Sequence, residues 1–388
     1  MQVAGLFVLG LGVVPGLPTV PFVLLGGLLL LSARARTQQI RREAQKAAAE
    51  LPRRDSGRGI GWGAGPSGGL RRAPVFLPMV IPWSVDVSTD LAALLDDVTR
   101  GDQLIRAGIF STTQRVREKI FLELGVPVPA ARVRTAENLP ERHIVISLFE
   151  VPARVMTLPL EENVDVAADL EAALVALLRA RAADFVGITE TQQLLDQLEQ
   201  VAPALVRQTI PKPLSLSLLA DVLRRLAEER VSIRDMRAIL EALSMVAATE
   251  KDPLNLAEFV RGQLRRATTY KLTAGRSELS VYLLDSNIEE AIRHAITRTP
   301  AGSFLTLAPA AGRDVVAAIR RAVGQALRGA SQSDHADVVI LTQPDIRRFV
   351  RKLIEVDLPD TTVVSFAELL PEISLRPVAK ATLSATSA

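Results

Sequence analysis

The chain has 388 residues, no cysteine, and a formal net charge of +3 from 46 Lys/Arg against 43 Asp/Glu. Disulfide frameworks and thiolate metal sites are excluded, and the length allows two or more domains with a sizeable core. The basicity is local: residues 1–73 hold ten Lys/Arg and three Asp/Glu, while the rest is acidic overall, which argues against nucleic-acid binding by the folded part.

Residues 3–31 carry no charge. As one helix they would span roughly 43 Å, against a hydrocarbon core of about 30 Å. One membrane crossing is expected over 1–33, tilted or kinked at Pro15, Pro18 and Pro21. A signal peptide cleaved after Ala33-Arg34-Ala35 fits less well, because a basic n-region is missing and the apolar run is too long. Arg34, Arg36, Arg41, Arg42 and Lys46 follow, which places the C-terminal side in the cytoplasm. Residues 34–73 read as a basic, Gly-rich linker, with a short amphipathic helix at Ile40–Leu51. Seven glycines lie between Gly57 and Gly69, but no strand precedes them and no Gly-Lys-Ser/Thr follows, so they are not a phosphate loop. Trp62 within the linker is a candidate for docking on a neighbouring subunit.

Residues 74–183 read as a first α/β subdomain. VFLPMVI (75–81) suggests a strand, and Asp90–Thr99 a helix with Leu91, Leu94, Leu95 and Val98 on one face. Ser111 with Gln114 fits a capping box for a helix that Gly125 ends after Leu124. A long strand is expected at Ile144–Val151. His143 at its edge suits a surface or capping role, since no partner stands at ligand spacing. A helix follows at Val166–Arg181.

Residues 184–270 read as a helical subdomain. Leu194, Leu195, Leu198 and Val201 share helical spacing. So do Leu218, Leu219, Val222, Leu223 and Leu226, and then Met236, Ile239, Leu240, Leu243 and Val246. Thr189 with Gln192 fits a capping box, and Asp252-Pro253 an N-cap followed by proline at the first helical position. Beside the stripes run charged rims. Arg224, Arg225 and Glu228 on one helix, and Arg234, Asp235, Arg237 and Glu241 on the next, are the candidate subunit-interface residues.

From Lys271 the pattern becomes α/β. Strands are expected at 279–284, 303–307, 336–342 and 361–366, with helices at Ile288–Thr297, Asp314–Leu327 and Pro344–Ile354. This suggests a small, partly parallel sheet with helical crossovers over 271–375, and a loosely ordered tail at 376–388. Asp285 ends a strand, where open α/β sheets place active sites, but Ser286 with Glu289 is also a capping box. There are three histidines and two tyrosines, with no Ser elbow, Walker loop, HExxH or paired histidine. An enzyme is not expected, and neither a cofactor nor a metal is implied.

DFVGITETQQLLDQLE, PKPLSLSLLADVLRRLAEERVSIRDMRAILEAL and EKDPLNLAEFVRGQLRR resemble blocks of the type III secretion and flagellar export-gate proteins, the FlhA/SctV or FHIPEP family. GLGVVPGLPTVPFVLLGGLLLL resembles that family's last transmembrane helix, and VVILTQPDIRRFVRKLIEVDLPDTTVVSFAEL its terminal subdomain. The resemblance implies an α+β multi-subdomain cytosolic region preceded by one transmembrane helix. Its parts are an α/β first subdomain, a helical third subdomain and a small α/β terminal subdomain. Family members insert several dozen residues after a segment like Glu150-Val151-Pro152. Here the second subdomain is reduced to a remnant at about 144–166, so no chaperone-contact residue carries over.

The family's role implies an inner-membrane protein whose cytoplasmic part forms a homo-oligomeric ring, a nonamer. Its partners would be other export-apparatus membrane proteins, the secretion ATPase complex with its stalk, and chaperone–substrate complexes. The wording DFVGITETQ leans toward the virulence-associated injectisome branch. Family members carry more transmembrane helices before this one, so the chain is a fragment or a truncated relative. The proton coupling that the family places in its membrane half is not carried by the residues present. The alternative is a membrane-tethered α/β enzyme or small-ligand sensor built on the terminal sheet.

Overall fold

The computed structural model describes residues 79–100, 103–158, 166–299, 302–329 and 338–383. They belong to one unit, Leu77–Ala388. The uncharged segment, the linker with Trp62 and the helix expected at Ile40–Leu51 lie outside the described residues. Among the described residues, no helix is long and apolar enough to cross a membrane.

The first sheet is built from β1 (Trp83–Ser88), β4 (Arg132–Ala136), β5 (His143–Leu148) and β6 (Val151–Thr157), in the order β4-β1-β5-β6. A separate ribbon pairs β2 (Val98–Arg100) with β3 (Gln103–Arg106). β1 runs parallel to β4 and antiparallel to β5, and β5 is antiparallel to β6. The period-two pattern sets the faces: Trp83, Val85 and Val87 are buried on β1, and Ile144, Ile146 and Leu148 on β5. Trp83 satisfies its one polar atom by donating from Nε1 to the Pro129 carbonyl at 2.8 Å.

Two helices, α1 (Ile109–Leu124) and α2 (Val166–Ala180), pack with this sheet in one apolar cluster. α1 ends at Gly125, whose φ of 76° only glycine adopts readily. A Cβ there would lie 2.5 Å from the Arg234 nitrogen. The segment after the next helical layer presses in at this point: Ile233 N donates to Leu124 O, and Arg234 Nη1 to Leu122 O, both at 2.8 Å.

Several local expectations for this region are corrected. No strand forms at 79–81, and the strand begins at Trp83. The helix expected at Asp90–Thr99 is a 3-10 turn, Thr89–Leu94, followed by β2. Asp97 reaches across to the start of α1, accepting from Gly108 N and Ser111 Oγ at 2.6 Å each, so no Ser111–Gln114 box forms. The strand expected to run through Val151 turns instead at Phe149-Glu150 and returns as β6.

The helical layer comprises α3 (Ile188–Val201), α4 (Pro203–Thr209), α5 (Leu216–Glu228), α6 (Met236–Val246), α7 (Pro253–Gln263) and α8 (Arg265–Thr273). Ser215, Asp235 and Asp252 cap α5, α6 and α7 through side-chain oxygens, and Pro253 opens α7. α3 is capped at Gly187, whose N–H donates to Glu190 Oε2 at 3.1 Å, so the Thr189–Gln192 box is corrected. The stripes of α5 and α6 are buried: Leu219, Val222, Leu223 and Leu226, then Met236, Ile239, Leu240 and Leu243. Val201 is not core; it is 82% exposed, at the point where α3 gives way to α4. The cluster containing Trp83 continues through these helices to Leu264, so the first sheet and the helical layer share one core.

The second sheet is β7 (Glu278–Leu284), β10 (Val339–Thr342), β11 (Thr362–Ser365) and β12 (Ser374–Ala381), ordered β11-β10-β7-β12 and parallel throughout. Helices α9 (Ser286–His294), α10 (Pro309–Gly329) and α11 (Arg347–Ile354) connect the strands. A short ribbon, β8 (Ile296–Thr299) with β9 (Gly302–Leu305), stands apart from the sheet. Hence α9 stops three residues before the expected Thr297, and the strand at 303–305 is not part of the sheet. Asp285 caps α9, replacing the Ser286–Glu289 box. The tail expected to be loose from 376 is β12, paired with β7 from Ser374 opposite Glu278 to Ala381 opposite Leu284. Pro377 is tolerated because β12 is an edge strand with a register shift between Pro377 and Ala379.

Leu240 is fully buried and Met245, on the same helix, is 73% exposed. Leu240→Asp should therefore unfold the helical layer, since a buried, unpaired carboxylate costs several kcal/mol. Met245→Asp should leave the thermal midpoint nearly unchanged. Circular dichroism melts check both, and a folded Leu240→Asp protein with an unshifted midpoint would contradict the assigned core.

Candidate functional site: the ionic junction and its cleft

The helical layer meets the second sheet through charge. Arg347, at the start of α11, is completely buried. Its Nη1 donates to Glu229 Oε2 at 2.5 Å and its Nη2 to Glu229 Oε1 at 2.9 Å, a bidentate pair. Its Nε donates to Glu258 Oε2 at 2.7 Å, and its Nη2 also reaches Glu258 Oε1. Arg261, almost as buried, joins Glu229 at 3.2 Å and Glu368 at 2.6 Å. Glu368 also accepts from Ser365 N and Oγ, each at 2.9 Å. Both guanidinium groups donate to the Val363 carbonyl at 3.3 Å.

Each member is positioned by an element end or face. Glu229 follows the last turn of α5, Glu258 and Arg261 lie one turn apart on α7, and Glu368 sits in the short 3-10 turn after β11. Burial alone would raise the Glu229 carboxyl, but Arg261 and Arg347 outweigh it and hold it down at about 2. Burial would likewise lower Arg347, and Glu229 and Glu258 reverse that, holding it well above its ordinary value.

Beside this cluster lies a cleft of about 470 Å³, walled by α5, α7, α11 and the β8–β9 ribbon. Leu254, Ala257, Phe304, Leu305 and Phe349 give it apolar walls. Arg348 stacks over the Phe349 ring at 4.8 Å and donates to Asn255 Oδ1 at 3.0 Å.

The candidate interface residues do not form one set. Arg225 and Glu228 line the cleft. Arg224 donates to Asp221 at 2.9 Å and to the Val186 carbonyl at 3.3 Å. Arg234 fastens the end of α1, and Asp235 caps α6 by accepting from Ala238 N at 2.9 Å. Both therefore have duties within the subunit. Arg237 and Glu241 form an exposed i,i+4 pair at 2.9 Å. Asp285 pairs with Lys380, whose ammonium holds its carboxyl below the usual range. His143 bonds the Glu141 carbonyl through Nδ1 at 2.7 Å. Among the described residues, no three His, Cys, Asp or Glu side chains come together as a metal site would require.

The residues that build the junction were not singled out from sequence as a group. A signal was present: Arg261 directly follows Val260 on the buried phase of α7, and Arg347 directly follows Ile346, both of those neighbours being buried. A cation at a core phase needs carboxylates brought to it.

The described residues thus form a mixed α/β domain with a shared sheet–helix core and an ionic junction to a parallel sheet. The family's sequence profile matches residues 1–169 and 161–374, and the chain belongs to the FHIPEP family. Low calcium response locus protein D of Yersinia pestis is 29% identical over 432 aligned residues, covering 98% of this chain and 59% of that protein. The chain thus spans about three-fifths of the length of that relative. Among solved structures, the Chlamydia pneumoniae CdsV protein superposes with a TM-score of 0.71 at 28% identity, covering 80% of this chain and all of CdsV. CdsV has also been solved in complex with CdsO. The nonameric EPEC SctV-C superposes with a TM-score of 0.65 at 25% identity, covering 78% of this chain and 99% of that one.

The depressed Glu229 carboxyl makes stability depend on acid. The group contributes stability that is fully present above its ordinary value of 4.5 and is lost as pH falls toward 2. The gap corresponds to about 3 kcal/mol. Urea unfolding midpoints should fall across that window, and Glu229→Gln should flatten the fall while lowering stability at neutral pH, where Arg347 loses a charged partner. An unaltered acid slope in the variant would assign the effect to another group.

Proposed function

We propose that this chain is the export-gate subunit of a type III protein secretion system. Residues 3–31 anchor it in the bacterial inner membrane with its C-terminal part in the cytoplasm. That part forms a homo-oligomeric ring, which docks chaperone–substrate complexes and passes substrates to the membrane channel. The observation that carries the reading is the family match along nearly the whole chain, together with likeness to a domain solved as a nonamer. The CdsV–CdsO complex supports contact with a further secretion component.

The subdomain plan follows the same reading, 74–183, then 184–270 and 271–375, but the second-subdomain remnant expected at about 144–166 is narrowed to the stretch after Thr157, because β5 and β6 complete the first sheet. Two findings support the reduction. The family match falls into two blocks that meet at 161–169, and the alignment with the Yersinia relative, at 432 residues, is longer than the chain. The role is that of a scaffold and receptor, not an enzyme.

Ring closure needs two different patches that meet by rotation, and membrane anchoring raises the effective concentration for it. The full chain in lipid nanodiscs or tethered on a lipid surface should show rings by negative-stain microscopy. Arg237→Glu, which breaks only an exposed pair, tests the candidate interface: it should weaken ring formation more at low than at high salt. Particles that stay monomeric at high surface density would defeat the ring.

A further inference from the structure

We infer that the cleft between α5, α7, α11 and the β8–β9 ribbon is a docking groove for an acidic amphipathic helix of a partner protein. The inference concerns this groove alone and holds whether or not the subunit closes into a ring.

Charge selects the occupant. The lining carries five cations (Arg225, Arg261, Arg348, Arg351 and Lys352) and four carboxylates (Glu228, Glu229, Glu258 and Glu355). Two of those carboxylates, Glu229 and Glu258, are held from beneath by Arg347, and Arg261 is spent on Glu229 and Glu368. Arg351 gives its guanidinium to the Thr361 and Pro359 carbonyls, so it keeps its charge without a carboxylate. What faces the groove is Arg225, Arg348, Arg351 and Lys352 against Glu228 and Glu355, a positive balance. Arg225, half-buried at the groove wall, offers a partner its positive charge; its Nε is closed to solvent.

Shape selects the other half of the chemistry. Phe304 stands 52% exposed on a two-stranded ribbon, facing the groove that Leu254, Ala257 and Phe349 complete. An exposed aromatic beside an apolar trough, rimmed by cations, matches a helix that lays apolar anchors into a groove and turns its acids to the rim. The floor is rigid, because the Arg347 cluster fixes α7 and α11 against each other, so little ordering accompanies binding.

The probe is a fluorescein-labelled helical peptide with Leu and Phe at i, i+3 and i+7 and Glu on the flanks. It is titrated by anisotropy against the full chain in lipid nanodiscs, with empty nanodiscs as the baseline. The acidic peptide should bind, and its Lys-for-Glu counterpart should bind at least about tenfold more weakly. Arg225→Glu and Phe304→Ser should each weaken the acidic peptide about tenfold, while Lys119→Glu, on α1 and outside the groove lining, should not. Circular dichroism confirms that the variants are folded; both sites are solvent-accessible at the groove. Equal binding of the two peptides, binding unaffected by the Arg225→Glu/Phe304→Ser pair, or no binding of the acidic peptide would each overturn the inference.

Discussion

A fully buried guanidinium is the constraint on which the arrangement of the helical layer and the second sheet depends. Arg347 cannot be desolvated alone, and its burial is tolerable only because Glu229 and Glu258 meet it with directed, charge-assisted bonds while Glu368 lies nearby. Those carboxylates come from the end of α5, the middle of α7 and the turn after β11. Any rotation of the second sheet against the helices would strand a charge. Apolar packing could not give that precision here. The core that runs from Trp83 to Leu264 is separate from the two apolar clusters that cover the faces of the second sheet. Hydrophobic contact is non-directional; the ion pairs set the angle.

The opposite end of the helical layer is joined differently. There the first sheet and the helices share one apolar cluster, and the backbone itself closes the seam at Gly125, Ile233 and Arg234. The consequence for the charged rims is direct. Arg234 and Asp235 look like surface residues in a helical projection, yet one ties down the carbonyl end of α1 and the other caps α6. A charge pattern on one helix cannot distinguish a residue that meets another subunit from one that closes its own fold.

Most of the helices were legible because their signals are local. Apolar spacing and Asp252-Pro253 sufficed for α5, α6 and α7, and Gly125 for the end of α1. What was hidden depended on partners far along the chain. β12 contains Pro377 and Lys380 and has no clean alternation; it is a strand because β7 offers it a ladder. The β5–β6 hairpin was read as one strand because its turn is Phe149-Glu150, at φ 50° and 66°, where Asn-Gly would be the usual signal. That turn is held from outside, by the Phe149 N–H on the Pro82 carbonyl at 2.9 Å and by the Phe149 ring stacked on Phe185. Of the capping boxes, only the one at Ser111 failed to a residue outside the local turn, Asp97; the caps of α3 and α9 lie at Gly187 and Asp285, just before the residues expected to cap.

The β5–β6 hairpin also bears on how the open edge of the first sheet is protected. β6 is an edge strand, and its outward residues Val151 and Val155 are exposed. Such an edge invites pairing with another chain. Here Pro152 removes a donor from it, Arg154 places a charge along it, and a register shift at Ile146–Ser147 interrupts its ladder. These features oppose indiscriminate strand addition at this edge. The surfaces of the helical layer are kept in one geometry because the shared core fixes one neighbour and the Arg347 cluster fixes the other.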